Sequence, residues 1–161
     1  MKNIIEGSIR LLMDLIRTQS FSKEEDQTAE IIDAYLKENG VETHRELNNV
    51  WAFNKYYDPS KPTILLNSHH DTVHPNKDYT RDPFHAEILD GKLFGLGSND
   101  AGGCLVSLIG TFLHYYDKQD LFLPNLDKPH ALHQYSSDLL PSYPSDHQAN
   151  LHFLHSPAIA N

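Results

Sequence analysis

Residues 63–74 read TILLNSHHDTVH and join a short apolar run to a histidine-rich segment. The run at 63–66 is uninterrupted, which is typical of a strand buried on both faces of a sheet. Polar side chains begin directly after it, and in α/β proteins ligands bind just beyond the carboxyl ends of the strands. The stretch therefore predicts a sheet and, at its end, the position of a site.

Two helices are predicted before this strand. Residues 3–17 have the three- and four-residue spacing of an amphipathic helix, with apolar residues at Ile5, Ile9, Leu12 and Ile16 and with Leu11 and Leu15 beside them. Ser22 and Glu25 fit a capping box that opens a second helix. Gly40 stands where a left-handed cap would end that helix.

Strands and a third helix follow. Residues 41–47, 50–56 and 63–68 are predicted strands, and Asp90-Gly91 between two apolar pairs indicates a two-residue hairpin. A helix is predicted over residues 100–116, with Cys104 as a small buried residue on its apolar face. Helices and strands in this order predict an α/β fold, a mixed sheet with helices packed on it.

The amino-acid composition argues against several classes of protein. The 161 residues carry a formal charge of −9, so nucleic acid is not an expected partner. A single cysteine excludes an internal disulfide. No run of eighteen apolar residues is present, so we expect no membrane partner and a cytoplasmic location.

Residues 118–161 differ in composition from the rest of the chain. They contain no Glu, Gly, Val or Arg but five Pro. At an average usage of roughly 7%, about three glycines are expected in a segment of this length. Because its prolines divide the segment and no period is sustained, we predict an irregular tail. Its five histidines match no recognisable metal-site spacing.

His69 and Asp71 are the first candidate site residues. Two positions apart, both side chains can face one side of an extended segment. A neutral imidazole is a good zinc ligand, and a nearby carboxylate can fix its tautomer and orientation. The alternative is a polar loop in which histidines cluster by chance. His70, His74 and His85 are interpreted as loop residues near the site.

Residues 95–103, GLGSNDAGG, form the second candidate segment. Its glycines allow a tight turn and the close approach of a bound group. Asp100 lies at the predicted helix start, where the simpler role is an N-cap or a partner of the helix dipole. No Lys-Ser/Thr pair follows the glycines, so the pattern of a phosphate-binding loop fails.

Two ordered runs, LLNSHHDTVHP at 65–75 and DPFHAEILDGKLFGLGSNDAGG at 82–103, carry a family resemblance. Over residues 1–117 the chain resembles the acetylornithine deacetylase and succinyl-diaminopimelate desuccinylase family of dinuclear zinc aminoacylases and peptidases. The resemblance implies part of a zinc-peptidase-like catalytic domain. It implies that His69 is a metal ligand, that Asp71 is the active-site aspartate orienting His69, and that Asp100 bridges two metal ions. The implied cofactor is zinc, with cobalt as an alternative.

The implied reaction is hydrolysis of the amide bond of a small N-acyl amino acid, with a glutamate as general base and two cations that activate water. Members often have Arg at the position of Leu96 and Met-Lys at Ala101-Gly102, so the resemblance leaves the substrate open. It also places a Glu-Glu pair after the third helix, whereas Glu87 is the last glutamate here.

From that departure we expect residues 1–117 to be the N-terminal part of a metallohydrolase domain and 118–161 to be an atypical tail, disordered or derived from a shifted reading frame. A truncated chain of this kind would bind metal weakly and show negligible turnover. Two other classes of function stay open, a catalytically dead metal-binding module and an interaction domain whose site residues are structural. The oligomeric state is also open.

Overall fold

The computed structural model describes residues 2–61, 63–118 and 150–155. Its elements, in chain order, are α1 (Lys2–Arg17), α2 (Asp26–Glu38), β1 (Thr43–Glu46), β2 (Asn49–Phe53), β3 (Ile64–His69), β4 (Glu87–Leu89), β5 (Lys92–Phe94), an irregular turn (Ser98–Gly102), α3 (Gly103–Tyr115) and β6 (Asn150–His155). The α/β fold class predicted from the sequence is confirmed.

The main sheet has the strand order β1-β2-β6-β3. β1 and β2 are antiparallel, while β6 lies parallel to β2 and antiparallel to β3. The tail was predicted to be irregular, yet its residues Asn150–His155 form this inner strand. Strand pairing over such a separation depends on which edges of β2 and β3 are open, and no local pattern reports that. Residues 119–149 and 156–161 of this segment lie outside the described residues.

The core lies between the helices and the main sheet. Along β2, Val50 and Ala52 are fully buried, whereas Trp51 and Phe53 on the opposite face are half-buried. The buried core residues of the helices are Leu11, Leu12, Leu15 and Ile16 of α1, Ala29, Ile32 and Leu36 of α2, and Leu105, Val106, Ile109 and Phe112 of α3. Five residues of β3 are half-buried and Asn67 is exposed, so the prediction of a strand buried on both faces is wrong.

Three residues predicted to be buried lie outside the core. Ile5 and Ile9 on α1 are 58% and 40% exposed, because α1 meets α3 along the stripe that includes Ser8. There the helices approach so closely that a Cβ at Gly110 would lie 3.1 Å from the Ser8 Oγ. Cys104 is exposed, since the buried face of α3 begins one position later, at Leu105.

Of the turn and capping signals in the sequence, two are confirmed and one is wrong. The hairpin is confirmed, with Asp90 and Gly91 at φ 50° and 73°, as a type I′ turn requires. Gly40 ends α2 at φ 78°, as predicted. The capping box at Ser22 is wrong: α2 begins at Asp26, and no side chain caps its first turn.

No helix among the described residues is both long enough and apolar enough to cross a membrane.

Candidate functional site

The structure brings the three predicted site residues together at the end of β3. His69 is the last residue of that strand. Its Nδ1 lies 3.1 Å from the Asp71 Oδ1, and its Nε2 lies 3.3 Å from the Asp100 Oδ1. The imidazole therefore lies between two carboxylates that come from different segments of the chain.

Asp71 is the buried partner of this imidazole. Its side chain is 8% exposed, and a buried carboxylate needs hydrogen-bond donors around it. One oxygen, Oδ2, accepts a hydrogen bond of 2.7 Å from the Ser22 hydroxyl. The other, Oδ1, lies 3.1 Å from the His69 Nδ1 but makes no well-aligned hydrogen bond to the described residues, while the Asp71 backbone carbonyl lies within hydrogen-bond distance of the same Nδ1, at 3.3 Å. Asp71 is thus placed to fix the orientation of the imidazole through its carbonyl and its carboxylate.

Asp100 is the exposed partner. It lies in the turn before α3, where its backbone is not helical, at φ −124° and ψ 98°, and its side chain is 90% exposed. Neither this turn nor α3 receives a side-chain cap, so the predicted alternative role of Asp100 as an N-cap is wrong. Its carboxylate faces His69 on one side and solvent on the other.

The glycines of the second segment serve close packing. At Gly95, a Cβ would lie 2.3 Å from the Ile16 Cγ2. At Gly97, which has φ 74°, a Cβ would lie 2.7 Å from the Thr72 Cγ2. The loop therefore lies tightly against α1 and the segment after β3, and this packing brings Asp100 to His69.

His70 belongs to a buried polar network on the far side of the strand end. Its Nδ1 lies 2.9 Å from the Thr28 Oγ1, and its Nε2 lies 3.0 Å from the Asn48 carbonyl. Burial lowers the pKa of His70, against the opposing effect of the bond to Asn48. Both ring nitrogens therefore lie against partners of this buried network, Nε2 against the Asn48 carbonyl and Nδ1 against the Thr28 hydroxyl, and not against Asp100.

The other two histidines of the region make no contact with His69 or Asp100 that the structure records. His74 is exposed and stacks on Phe21, with ring centroids 3.9 Å apart. His85 is exposed in the loop before β4. The interpretation of these two residues as loop histidines agrees with their positions.

The side-chain atoms of His69 and Asp100 have the spacing of two ligands of one metal ion. Tetrahedral zinc with ligand bonds of 2.0–2.2 Å holds its ligand atoms about 3.4 Å apart. The His69 Nε2 and the Asp100 Oδ1, 3.3 Å apart, fit two ligands of one such ion. Within the described part of the chain, no group of three or more His, Cys, Asp or Glu side chains is arranged to hold a metal.

Beside Asp71 lies a narrow cavity of about 20 Å³, room for a single water molecule. Its apolar wall comes from α1, Leu96 and Leu105, and its polar wall from Ser20 and Asp71. This cavity is far smaller than a pocket for a small-molecule ligand. The described residues thus form one side of a site.

Four residues around the site were not predicted, namely Ser22 in its observed role, Glu25, Thr28 and Asn48. All four form hydrogen bonds with residues far away in the sequence: Ser22 with Asp71, Thr28 and Asn48 with His70, and Glu25 with Asn48. No spacing pattern could have identified them, because the contacts exist only after α2, β1 and β3 have packed together.

No family model matches the chain. Succinyl-diaminopimelate desuccinylase 2 of Ruegeria sp. (strain TM1040) is 36% identical over an alignment of 101 positions, and the alignment covers 57% of this chain and 25% of that protein. The succinyl-diaminopimelate desuccinylase of Blochmanniella floridana is 30% identical over an alignment of 125 positions, which covers 71% of this chain and 33% of that protein. The enzyme of the same name from Rickettsia bellii (strain OSU 85-389) is 28% identical over an alignment of 125 positions, which covers 71% of this chain and 31% of that protein.

The chain therefore spans a third or less of the length of these curated relatives. Their similarity confirms the family resemblance predicted from the two motifs, for the N-terminal part of the family.

Proposed function

The N-terminal part of the chain is related to the succinyl-diaminopimelate desuccinylases, and on that basis we propose that it holds the first metal ligands of a metal-dependent hydrolase of N-acyl amino acids. The observation that carries this proposal is the placement of the His69 imidazole between a buried and an exposed carboxylate. In this arrangement one carboxylate orients the ring and the other shares a cation with it.

His69, through Nε2, and Asp100, through its carboxylate, would hold zinc, with cobalt as an alternative. A divalent ion at this position supplies Lewis-acid chemistry, polarising the amide carbonyl and lowering the pKa of water. A proton on Nδ1 of His69 would be held by the Asp71 carbonyl and carboxylate, which would leave the Nε2 lone pair for a cation shared with Asp100. The exposure of Asp100 leaves its second oxygen available for a second cation.

A general base is the group that the described residues do not provide. Glu25 is a buried glutamate in the hydrogen-bond network around the loop of Ser22, but both of its carboxylate oxygens already accept hydrogen bonds. Oε1 accepts from the Lys23 backbone N–H and Oε2 from the Asn48 side chain, each at 2.6 Å. No glutamate follows Glu87 in the 161 residues. We therefore propose that this polypeptide binds metal and substrate but turns substrate over negligibly.

The substrate class follows from the relatives. Their names specify removal of a succinyl group from diaminopimelate, and the proposed substrate is accordingly a small amino acid acylated on nitrogen. The second candidate function, a metal-binding module without catalysis, is favoured by the absence of a third metal-ligating side chain among the described residues.

Calorimetric titration of N-succinyl-diaminopimelate into the 161-residue chain tests the proposal. We expect binding to the zinc-loaded chain and none to the metal-free chain, because the acyl amide and carboxylates need the cation. The His69→Ala variant treated with zinc should also show none. Succinate release, followed in the same samples, should stay near the rate without protein.

Three results would discriminate the functions. Equal substrate binding with and without zinc would contradict the proposal and favour an interaction domain. Zinc binding that depends on His69, without substrate binding, would favour the metal-binding module. Rapid succinate release would show that a base is present after all.

A further inference from the structure

Asp71 can orient His69 only if its own carboxylate is held, and the structure shows a single side chain that holds it. The Ser22 hydroxyl donates to the Asp71 Oδ2 at 2.7 Å. A carboxylate is planar, so fixing Oδ2 also fixes the direction of Oδ1 toward the His69 Nδ1. Without that bond the terminal torsion of an aspartate has a broad, two-fold preference.

Ser22 is itself held by contacts at both ends of its loop. On one side, Phe21 forms a bridge with Thr72, and the Thr72 N–H donates to the Ser20 carbonyl at 2.7 Å. These bonds fasten the loop to the segment that carries Asp71. Ser22 therefore faces Asp71 because two backbone segments, fifty residues apart, are joined at this point.

On the other side, the buried Glu25 closes the loop. Its carboxylate accepts the Lys23 N–H at 2.6 Å and the Asn48 side chain at 2.6 Å. Lys23 has φ 79°, a conformation uncommon for a residue with a side chain. Residues with such backbone angles persist where surrounding contacts over-determine them. Glu25 and Asn48 are those contacts here.

We propose that Ser22 is a positioning residue for the metal site: its hydroxyl sets the Asp71 carboxylate, which in turn sets the His69 imidazole toward Asp100. This inference rests on the proposed function, since it takes His69 and Asp100 as metal ligands. Outer partners that orient a metal-ligating histidine typically affect metal affinity by about 10- to 100-fold. Because Ser22 acts through Asp71, the lower end of that range applies.

The test is the zinc affinity of the complete 161-residue chain, measured by competition with a chromophoric chelator. Ser22→Ala should weaken zinc binding about tenfold. Ser22→Thr and Ser22→Val form a matched pair of nearly equal volume that differ in the hydroxyl, so the threonine variant should keep the affinity and the valine variant should lose it. Ser22 is exposed, so the fold tolerates these side chains.

Ser60→Ala is the matched control. The Ser60 hydroxyl also donates to an aspartate at 2.7 Å, the exposed Asp58, but in the turn before β3. Its removal should leave zinc affinity unchanged. Thermal unfolding of the metal-free variants separates a general loss of stability from a specific loss of affinity, since the threonine and valine variants should unfold at similar temperatures.

Equal zinc affinity of the Thr and Val variants, with binding lost in His69→Ala, would overturn the role of Ser22 and leave the metal site standing. Zinc binding unchanged in His69→Ala would overturn the metal site, and the inference about Ser22 with it.

Discussion

Replacing His69 with alanine is expected to weaken zinc binding by the 161-residue chain by more than the roughly 10- to 100-fold that follows the loss of a residue orienting a metal ligand. The described residues bring only one histidine to the exposed carboxylate of Asp100, with Nε2 and Oδ1 3.3 Å apart. Removal of the imidazole leaves a single exposed aspartate, which is a weak ligand by itself. Equilibrium competition with a chelator of known affinity measures the change.

Two variants make this result specific. Asp100→Asn preserves the size of the side chain and removes its charge, and it should lower zinc affinity as well. His74→Ala removes an exposed histidine that stacks on Phe21, and it should leave the affinity unchanged. If His74→Ala and His69→Ala weaken binding equally, zinc is held nonspecifically by histidines and the proposed site is wrong.

Gly95→Ala is expected to lower the free energy of unfolding by about 3 kcal/mol. Gly95 has φ 151°, and an added Cβ would lie 2.3 Å from the Ile16 Cγ2, in a buried side chain. Strain in the backbone and overpacking therefore act together. Urea unfolding followed by circular dichroism measures the loss.

Gly91→Ala is the control for Gly95→Ala. Gly91 has φ 73° in the hairpin turn, with no atom within 4 Å of an added Cβ. Only backbone strain acts there, so the expected loss is about 1 kcal/mol. Losses of equal size at the two positions would show that the loop from Gly95 does not pack on α1 as described.

Local chemistry made parts of the fold predictable. The Asp90-Gly91 hairpin follows from two residues that tolerate positive φ, and the end of α2 follows from Gly40. His69, Asp71 and Asp100 were identified before the fold was known, because two ordered motifs fix residue types at the ends of a strand and a glycine loop. The structure brings their side chains together, and their role in metal binding stays a prediction.

Features that depend on tertiary packing were not predictable. The periodicity of α1 includes both Ile5 and Ile16, and only the contact with α3 decides that Ile16 is buried and Ile5 exposed. Ser22 and Glu25 match a capping box in the sequence, but Ser22 bonds to Asp71, 49 residues away. The strand Asn150–His155 pairs with β2 and β3, and its partners lie far away in the sequence.

His69 and Asp100 are proposed to share one metal ion. Crystals of the zinc-loaded chain, measured above and below the zinc absorption edge, test this proposal directly. We expect an anomalous peak between the His69 Nε2 and the Asp100 carboxylate. A peak on other histidines with none at His69, or a zinc-loaded chain with no ordered zinc, would contradict it.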